Sequence, residues 1–184
     1  DFLRLGSVIP AGFESYISIR QSKKLEGVDQ EMFMNPEKLL LMLADYTQDT
    51  EKCFYGLWNG YGWGFEAKYK SLFNTKPIKL DPDTDRYEFT DILELENRDY
   101  YLLFGNLFDS LKIGYWQWDM FWQYLPNLMW PESREWFVAR EIDFNVTLVA
   151  GSKKLTDYIE TSFKGMTERF TPETRTNEIY IAGH

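Results

Sequence analysis

Two carboxylates stand close together in an otherwise apolar stretch of the chain. Glu141 and Asp143 lie within "EWFVAREIDFNVTLVA" (135–150), whose aromatic and β-branched residues are typical of strands. On a strand, residues two positions apart face the same side and stand about 7 Å apart. Two carboxylates at this spacing can share a proton or flank a sugar, as in a carboxylate-dependent hydrolase.

The same pair also fits a purely structural role. Where a strand turns into a loop, Asp143 or Asn145 can bond to its own backbone, as such residues do in turns. An ion pair of Arg134 with Glu141, or of Arg98 with Asp143, would neutralise the carboxylates without any catalysis. The sequence leaves both interpretations open.

Aromatic side chains are the second feature that points to binding. The chain has 7 Trp, 12 Tyr and 14 Phe, and so many large rings are expected to line a groove or an interface as well as the core. Trp rings stack on sugars and bind cations. The candidates are Trp58, Tyr61, Trp63, Tyr115, Trp116, Trp118, Trp122 and Trp130. The predicted binding residues are Trp58, Trp130, Arg134, Glu141 and Asp143.

The shortage of histidine excludes several kinds of catalysis. The only histidine is His184, so Ser-His-Asp and Cys-His mechanisms lack their base, and His-rich metal sites are excluded. Asp81, Asp83 and Asp85 copy the first ligands of a calcium loop, but Arg86 replaces the glycine that the loop needs next. We therefore predict no catalytic residue, no metal and no cofactor.

Charge limits the partners. The net charge is −9 and the pI is about 4.7, so nucleic acid and anionic membranes are not expected to bind. No apolar run reaches the length of about 18 residues that a transmembrane helix needs. A basic protein partner fits this charge, and a small-molecule or glycan ligand is compatible with it.

Cysteine usage indicates a reducing compartment. Cys53 is the only cysteine, so no disulfide can form within the chain, and a cytoplasmic location is expected. No signal peptide is visible, although the chain begins without Met, which is compatible with the removal of a leader.

The local patterns predict both helices and strands. Helices are expected over about 36–46, with Asn35 as N-cap and Pro36 at the first position, and over about 152–165. The expected strands are 12–20, 87–94, 100–105, 135–142 and 146–150. Asn59-Gly60 predicts a two-residue hairpin turn.

The remaining segments complete the predicted fold. Residues 21–34 are interpreted as a polar excursion, and 106–130 as a short helix followed by an aromatic-rich loop. We predict an α+β fold in which residues 1–166 form a single domain with a largely antiparallel sheet, hairpins and two main helices. Residues 167–184 are expected to be a polar tail in which only 179–182 has strand character.

The segment "PNLMWPESREWFVAREIDFNVTLVAGS" (126–152) resembles a family of uncharacterised bacterial proteins, largely actinobacterial. Their motif runs P-N-x-x-W-P-x-x-R-x-W-x-V-x-x-E-I-D-x-x-x-T-x-V-x-G-S, and "PAGFESY" (10–16), "CFYGLWNGYGW" (53–63) and "NRDYYLLFG" (97–105) fit as well. The chain departs at Phe137, where a Cys is expected, and at Ala150, where a Gly is expected. The family has no assigned activity, so the resemblance implies a single soluble bacterial domain and adds no reaction.

The stretch "EIDF" (141–144) also resembles the start of the E-x-D-x-x-E motif of a Trp-rich glycoside hydrolase family. The chain departs from that motif because Val146, or Asn145 in its shorter form, occupies the position of the acid. The sequence therefore favours a non-catalytic binding or interaction protein of bacteria, of the immunity or accessory type. The alternative is a carbohydrate- or small-molecule-binding domain, including a carboxylate-dependent hydrolase that uses Glu141 and Asp143.

Overall fold

A computed structural model describes residues 5–24, 31–61, 88–95, 98–117, 120–123, 125–140, 145–175 and 179. The strands are β1 Ser15–Arg20, β2 Ser22–Lys24, β3 Glu31–Phe33, β4 Cys53–Trp58, β5 Glu88–Leu95, β6 Arg98–Gly105, β7 Gly114–Gln117, β8 Met120–Gln123, β9 Leu128–Pro131, β10 Phe137–Ala139, β11 Val146–Gly151 and β12 Thr167–Arg169. The α-helices are α1 Pro36–Ala44 and α2 Lys153–Ser162, and short 3₁₀ turns span Leu5–Ser7, Asn59–Tyr61 and Leu107–Lys112.

The chain divides into two compact units. Unit 1 comprises Asp1–Gln48 and Ser133–His184, and unit 2 comprises Asp49–Glu132. Strands of unit 1 lie in the order β12-β1-β11-β10, and those of unit 2 in the order β9-β4-β6-β5, while β2–β3 and β7–β8 form separate hairpins. The strand pairs of the described segments are antiparallel within each unit. The predicted α+β class, the antiparallel sheet and the two main helices are confirmed.

Helix α1 begins where the sequence predicts it. The Asn35 side chain accepts a hydrogen bond from the backbone N–H of Lys38 at 3.1 Å, and Pro36 occupies the first turn, where its missing N–H costs nothing. Leu39, Leu40, Met42 and Leu43 are buried, whereas Leu41 is 54% exposed. The apolar face of α1 therefore lies in the core of unit 1.

The N-terminus of helix α2 is capped twice. Ser152 Oγ accepts from the backbone N–H of Leu155 at 3.2 Å, as an N-cap serine does. Glu14, from the segment before β1, accepts from the backbone N–H of Lys153 at 2.9 Å, and its negative charge suits the positive end of the helix dipole. The predicted start at residue 152 is confirmed.

The C-terminus of α2 lies at Ser162, before the predicted end at residue 165. Lys38 of α1 donates to the carbonyl of Ser162 at 2.5 Å, and its ammonium lies 4.8 Å from the ring centre of Phe163. A cation at this position stabilises the free carbonyls of the last helical turn. Lys38 thus holds the two helices of unit 1 together.

Three segments differ from their predictions. The polar excursion of residues 21–34 contains the β2–β3 hairpin, and the aromatic-rich loop contains the β7–β8 hairpin, because pairing satisfies backbone groups that a loop would leave to water. Asn59-Gly60 begins a 3₁₀ turn rather than a two-residue hairpin, and β4 pairs with β6 and β9. Of the segment after 61, residues 62–87 lie outside the described part of the chain.

The predicted polar tail also begins differently. Strand β12 pairs with β1, Phe170 donates its backbone N–H to the carbonyl of Tyr16, and Leu5 donates to the carbonyl of Thr174. Residues 167–174 are thus hydrogen-bonded to other segments of unit 1. Of residues 179–182 only Ile179 is described, and it is buried. The division into a domain over 1–166 and a tail stays a prediction.

Candidate functional site

Strand β4 of unit 2 separates a buried face from a half-buried one. Cys53, Tyr55 and Leu57 point to one side and are fully buried, while Phe54 and Trp58 point to the other side and remain partly exposed. This alternation follows from the two-residue period of a strand. The face that carries Phe54 and Trp58 is here called the aromatic face.

Three rings form a row across the aromatic face. Phe54 stands opposite Phe104 of β6 and opposite Trp130 of β9 in the strand register. The ring centres of Phe54 and Phe104 are 4.8 Å apart with planes inclined by 57°, and those of Phe54 and Trp130 are 5.5 Å apart with planes inclined by 16°. Such offset and tilted contacts suit the charge distribution of aromatic rings. All three rings are half-buried.

The next register position lacks a ring. Gly56 stands opposite Leu102 and Leu128, and a Cβ atom on Gly56 would meet Leu128 Cβ at 3.0 Å. Leu128 therefore lies over the glycine and is itself only 2% exposed. The glycine allows the β9 side chain to approach β4 closely.

Trp58 lies two register positions from the row of three rings. Its backbone N–H donates to the side chain of Asn127 at 2.9 Å, which fixes the end of β4. Arg98 of β6 lies over the Trp58 ring at 5.6 Å from its centre, within the range of a cation–π contact. Gly60 lies directly against the six-membered ring, since a Cβ there would overlap Trp58. The indole of Trp58 is thus held by its own unit.

Charged residues lie on the side of the row opposite to Trp58, just before β4 and just after β9. Glu132 donates its backbone N–H to Lys52 at 2.8 Å, which extends the pairing of β9 and β4 by one position. The ammonium of Lys52 lies 3.7 Å from Glu132 and 3.5 Å from Asp49, and about half of each of these side chains is exposed. Glu51 beside them accepts from Asn106 at 2.5 Å. Carboxylates outnumber cations at this edge of the aromatic face.

The structure brings together two of the five predicted binding residues. Trp58 and Trp130 share the aromatic face of unit 2. Arg134 belongs to unit 1, where it is exposed and has a left-handed backbone with φ of 58°. Glu141 and Asp143 lie outside the described residues, so their prediction is untested.

The proposed ion pairs of Arg134 with Glu141 and of Arg98 with Asp143 stay predictions, because both carboxylates lie outside the described residues. Arg98 lies over Trp58, and Arg140 donates to the side chain of Gln21 at 2.8 Å. The side chains of several predicted aromatic candidates lie outside the described part of the chain: Tyr61, Trp63, Tyr115, Trp116, Trp118 and Trp122.

Sequence reasoning missed Phe54 and Phe104. Phe54 carries a local signal, because it alternates with the apolar positions 53, 55 and 57 of one strand. Its partners Phe104 and Trp130 come from strands that are far apart in sequence, and only the register joins them. A single sequence without strand pairing cannot show this row.

The strongest charge cluster among the described residues lies in unit 1 and has a structural role. Arg169 of β12 donates to Asp157 at 2.6 Å and to Glu160 at 2.7 Å, and it also reaches Ser15 and Thr156. Hydrogen bonds and charge from Lys153 and Arg169 lower the pKa of Asp157, and Glu160 raises the pKa of Arg169. The cluster fastens α2 to the sheet of unit 1.

The described residues contain no group of three or more His, Cys, Asp or Glu side chains placed to hold a metal ion. None of the helices in the described ranges combines the length and the apolar character that a membrane span requires. Known protein families, curated proteins and solved structures offer no match to this chain. The likeness of residues 126–152 to a bacterial family therefore stays a prediction.

Proposed function

We propose that the protein is a non-catalytic binding protein, of the immunity or accessory type, that recognises a basic partner protein through the aromatic face of unit 2. The observation that carries this proposal is the row of Phe104, Phe54 and Trp130, whose rings contact one another and remain half-buried. Large aromatic residues supply much of the binding energy at protein interfaces.

Charge supports a basic partner. The chain has a net charge of −9, and Lys52 beside the row pairs with both Asp49 and Glu132, while Glu51 accepts from Asn106. Complementary charge accelerates the encounter of two proteins and excludes partners of the same sign. An apolar row with an acidic rim therefore suits a protein surface rich in Lys and Arg.

The alternative of a glycan or small-molecule site has less support. Trp58 is one of the two tryptophans that this alternative uses, and its indole already contacts Arg98 and Gly60. Trp130 stacks on Phe54, so the row presents a continuous apolar ridge rather than separate flat rings for successive sugars. The carboxylates of the alternative, Glu141 and Asp143, lie outside the described residues.

Partner capture with matched variants tests the proposal. The immobilised wild type, Trp130→Leu and Tyr158→Leu are exposed to an extract of the cells that produce the protein, and retained proteins are quantified by mass spectrometry. Tyr158 is the control because it is a ring of unit 1 that is 42% exposed. A basic protein that is retained by the wild type and by Tyr158→Leu, but not by Trp130→Leu, is the expected result.

Two further measurements make this test decisive. Thermal unfolding checks that Trp130→Leu remains folded, and the purified partner is titrated against each variant by calorimetry. Retention of the same proteins by the wild type and by both variants would contradict the proposal. Binding of a glycan that requires Trp130, without any protein partner, would favour the alternative.

A further inference from the structure

Helices α1 and α2 lie side by side in unit 1 and run in opposite directions. Lys38 at the start of α1 donates to the carbonyl of Ser162 at the end of α2. Tyr46, just after α1, has its ring centre 6.4 Å from that of Tyr158 in the middle of α2. Helix α2 contacts β1, β11 and β12 on its inner side, so its outer side faces solvent beside α1.

The outer side of this helix pair has an exposed apolar centre. Leu41 of α1 and Tyr158 of α2 are two of the large hydrophobic side chains that remain exposed, and Tyr46 is half-buried. Neither tyrosine hydroxyl has a hydrogen-bond partner among the described residues. Tyrosine offers a large apolar ring together with a polar group, and it is enriched at protein interfaces for this reason.

Opposite charges flank this centre, acidic on α1 and basic on α2. Glu37 and Asp45 lie four positions before and after Leu41, which places them next to it on the same side of the helix, and both are exposed. Lys154 lies four positions before Tyr158 and is exposed as well. Within the part of the chain that the structure describes, none of these three charges has an ion pair.

Two of these charges are unfavourable for the helix that carries them. A carboxylate at the end of a helix and an ammonium in its first turn each meet an end of the helix dipole that has the same sign. Asp45 is the C-cap of α1, and Lys154 lies in the first turn of α2, which has no acidic residue of its own. The carboxylates Asp157 and Glu160 of α2 are both paired with Arg169. Asp45 and Lys154 therefore remain available to opposite charges on another molecule.

We infer that a second copy of the chain docks on this surface, in a symmetric dimer whose two-fold axis runs between α1 and α2 and parallel to them. This axis places α1 of each copy over α2 of the other, so Asp45 faces Lys154 of the partner subunit twice, and the apolar centre meets its own copy. A two-fold axis across the helices would place the acidic α1 over itself and bring like charges together. The inference concerns unit 1 and goes beyond the proposed function, which concerns unit 2.

The size of the surface makes this a weak dimer. Helices of nine and ten residues are about 14–15 Å long, so the pair presents less area than the roughly 800 Å² per partner of a standard interface. We expect a dissociation constant of about 0.1 mM. Each copy has a net charge of −9, and salt at about 0.15 M screens the repulsion between whole molecules while direct contacts persist.

Sedimentation equilibrium of charge-reversal variants between about 10 µM and about 1 mM tests the dimer. Asp45→Lys and Lys154→Glu each bring like charges together, and each should weaken the dimer by about tenfold. Both substitutions suit the dipole of their helix, so the fold should persist, as thermal unfolding checks. An equimolar mixture of the two variants should dimerise like the wild type, because each copy then offers the charge that the other requires.

Two further variants complete the test. Glu94→Lys is the matched control, because Glu94 is an exposed carboxylate of β5 in unit 2 and the substitution changes the net charge as Asp45→Lys does. Its dissociation constant should not exceed that of the wild type. Tyr158→Ser removes an exposed ring from the apolar centre, and it should weaken the dimer by about fivefold or more.

The opposite outcomes are equally clear. A wild type that remains monomeric at about 1 mM overturns the inference. A dimer that persists in Asp45→Lys and in Tyr158→Ser forms through another surface, and it overturns the inference as well. If the mixture of the two charge variants stays monomeric, the symmetric pairing of α1 with α2 is wrong. Capture of a basic protein through Trp130 is measured separately, so either proposal can fail without the other.

Discussion

Trp136 donates its indole N–H to the hydroxyl of Thr47 at 2.8 Å, although the two residues lie 89 positions apart in the sequence. Trp136 is fully buried, and the Thr47 hydroxyl in turn donates to the carbonyl of Leu43 at 2.7 Å, at the end of α1. Next to Trp136, Glu135 accepts from the backbone N–H of Gln48 at 3.1 Å. Part of the segment 126–152 is thus structural, because Glu135 and Trp136 hold the end of α1 in unit 1.

Thr47→Val should lower the free energy of unfolding by about 1–3 kcal/mol, because the buried indole of Trp136 loses its acceptor. The measurement is the urea midpoint, with an unchanged slope showing that the unfolded state is the same. Thr161→Val is the control, since the Thr161 hydroxyl also donates to a carbonyl four positions earlier, at 2.9 Å, but is exposed. Equal losses in both variants would show that Trp136 contributes nothing.

For Thr147 of β11, removal of the hydroxyl is expected to raise the stability of the protein rather than lower it. It is 1% exposed, and its hydroxyl is the buried side-chain oxygen for which no hydrogen-bond partner is found in the described part of the chain. Thr147→Val keeps the branched shape and removes the unsatisfied hydroxyl, so the free energy of unfolding should rise by about 1 kcal/mol. Urea unfolding of the two proteins measures the difference.

The control for Thr147→Val is Thr156→Val. Thr156 is equally buried, but its hydroxyl contacts Ser15 at 2.9 Å and the carbonyl of Lys153 at 3.0 Å. This variant should therefore be less stable than the wild type, since Ser15 and Arg169 lose a partner. A stability loss in Thr147→Val would mean that its hydroxyl has a partner after all.

The features that could be predicted from the sequence depend on neighbouring residues, and those that could not be predicted depend on contacts between distant parts of the chain. Asn35, Pro36 and Ser152 act on their own helix, so both helix starts could be read from the sequence. Glu14 caps α2 from 139 positions away, which no local pattern announces. The candidate site divides in the same way. Trp130 could be recognised from its residue type, whereas the row that it forms with Phe54 and Phe104 depends on the pairing of β4 with β6 and β9.

The charge cluster of unit 1 predicts a dependence of stability on pH. Hydrogen bonds and charge from Lys153 and Arg169 hold the pKa of Asp157 below its ordinary value of 3.8. A carboxyl with a lowered pKa in the folded state stabilises the protein above its unfolded pKa, and this stabilisation is lost as the pH falls through the folded pKa. The stability difference between the wild type and Asp157→Asn should be full at neutral pH and should vanish in acid well below 3.8.

Urea midpoints of both proteins over this pH range check the prediction for Asp157. Because the carboxylate is exposed to solvent, added salt should reduce the difference at neutral pH as well. A difference that stays constant with both pH and salt would show that the side chain acts through packing, and that the charge of Asp157 has no role.

Gly60→Ala tests whether Trp58 is held by its own unit. A Cβ on Gly60 would overlap atoms of the six-membered ring of Trp58, so the indole must move away, and Arg98 must follow it. The free energy of unfolding should fall by about 1–3 kcal/mol, as overpacking does, whereas the neighbouring Asn59→Ala should stay within about 0.5 kcal/mol of the wild type. The indole N–H signal of Trp58 should shift in Gly60→Ala alone. An unchanged stability and an unchanged signal would mean that the ring moves without resistance, and Trp58 would then return as a residue able to stack on a ligand.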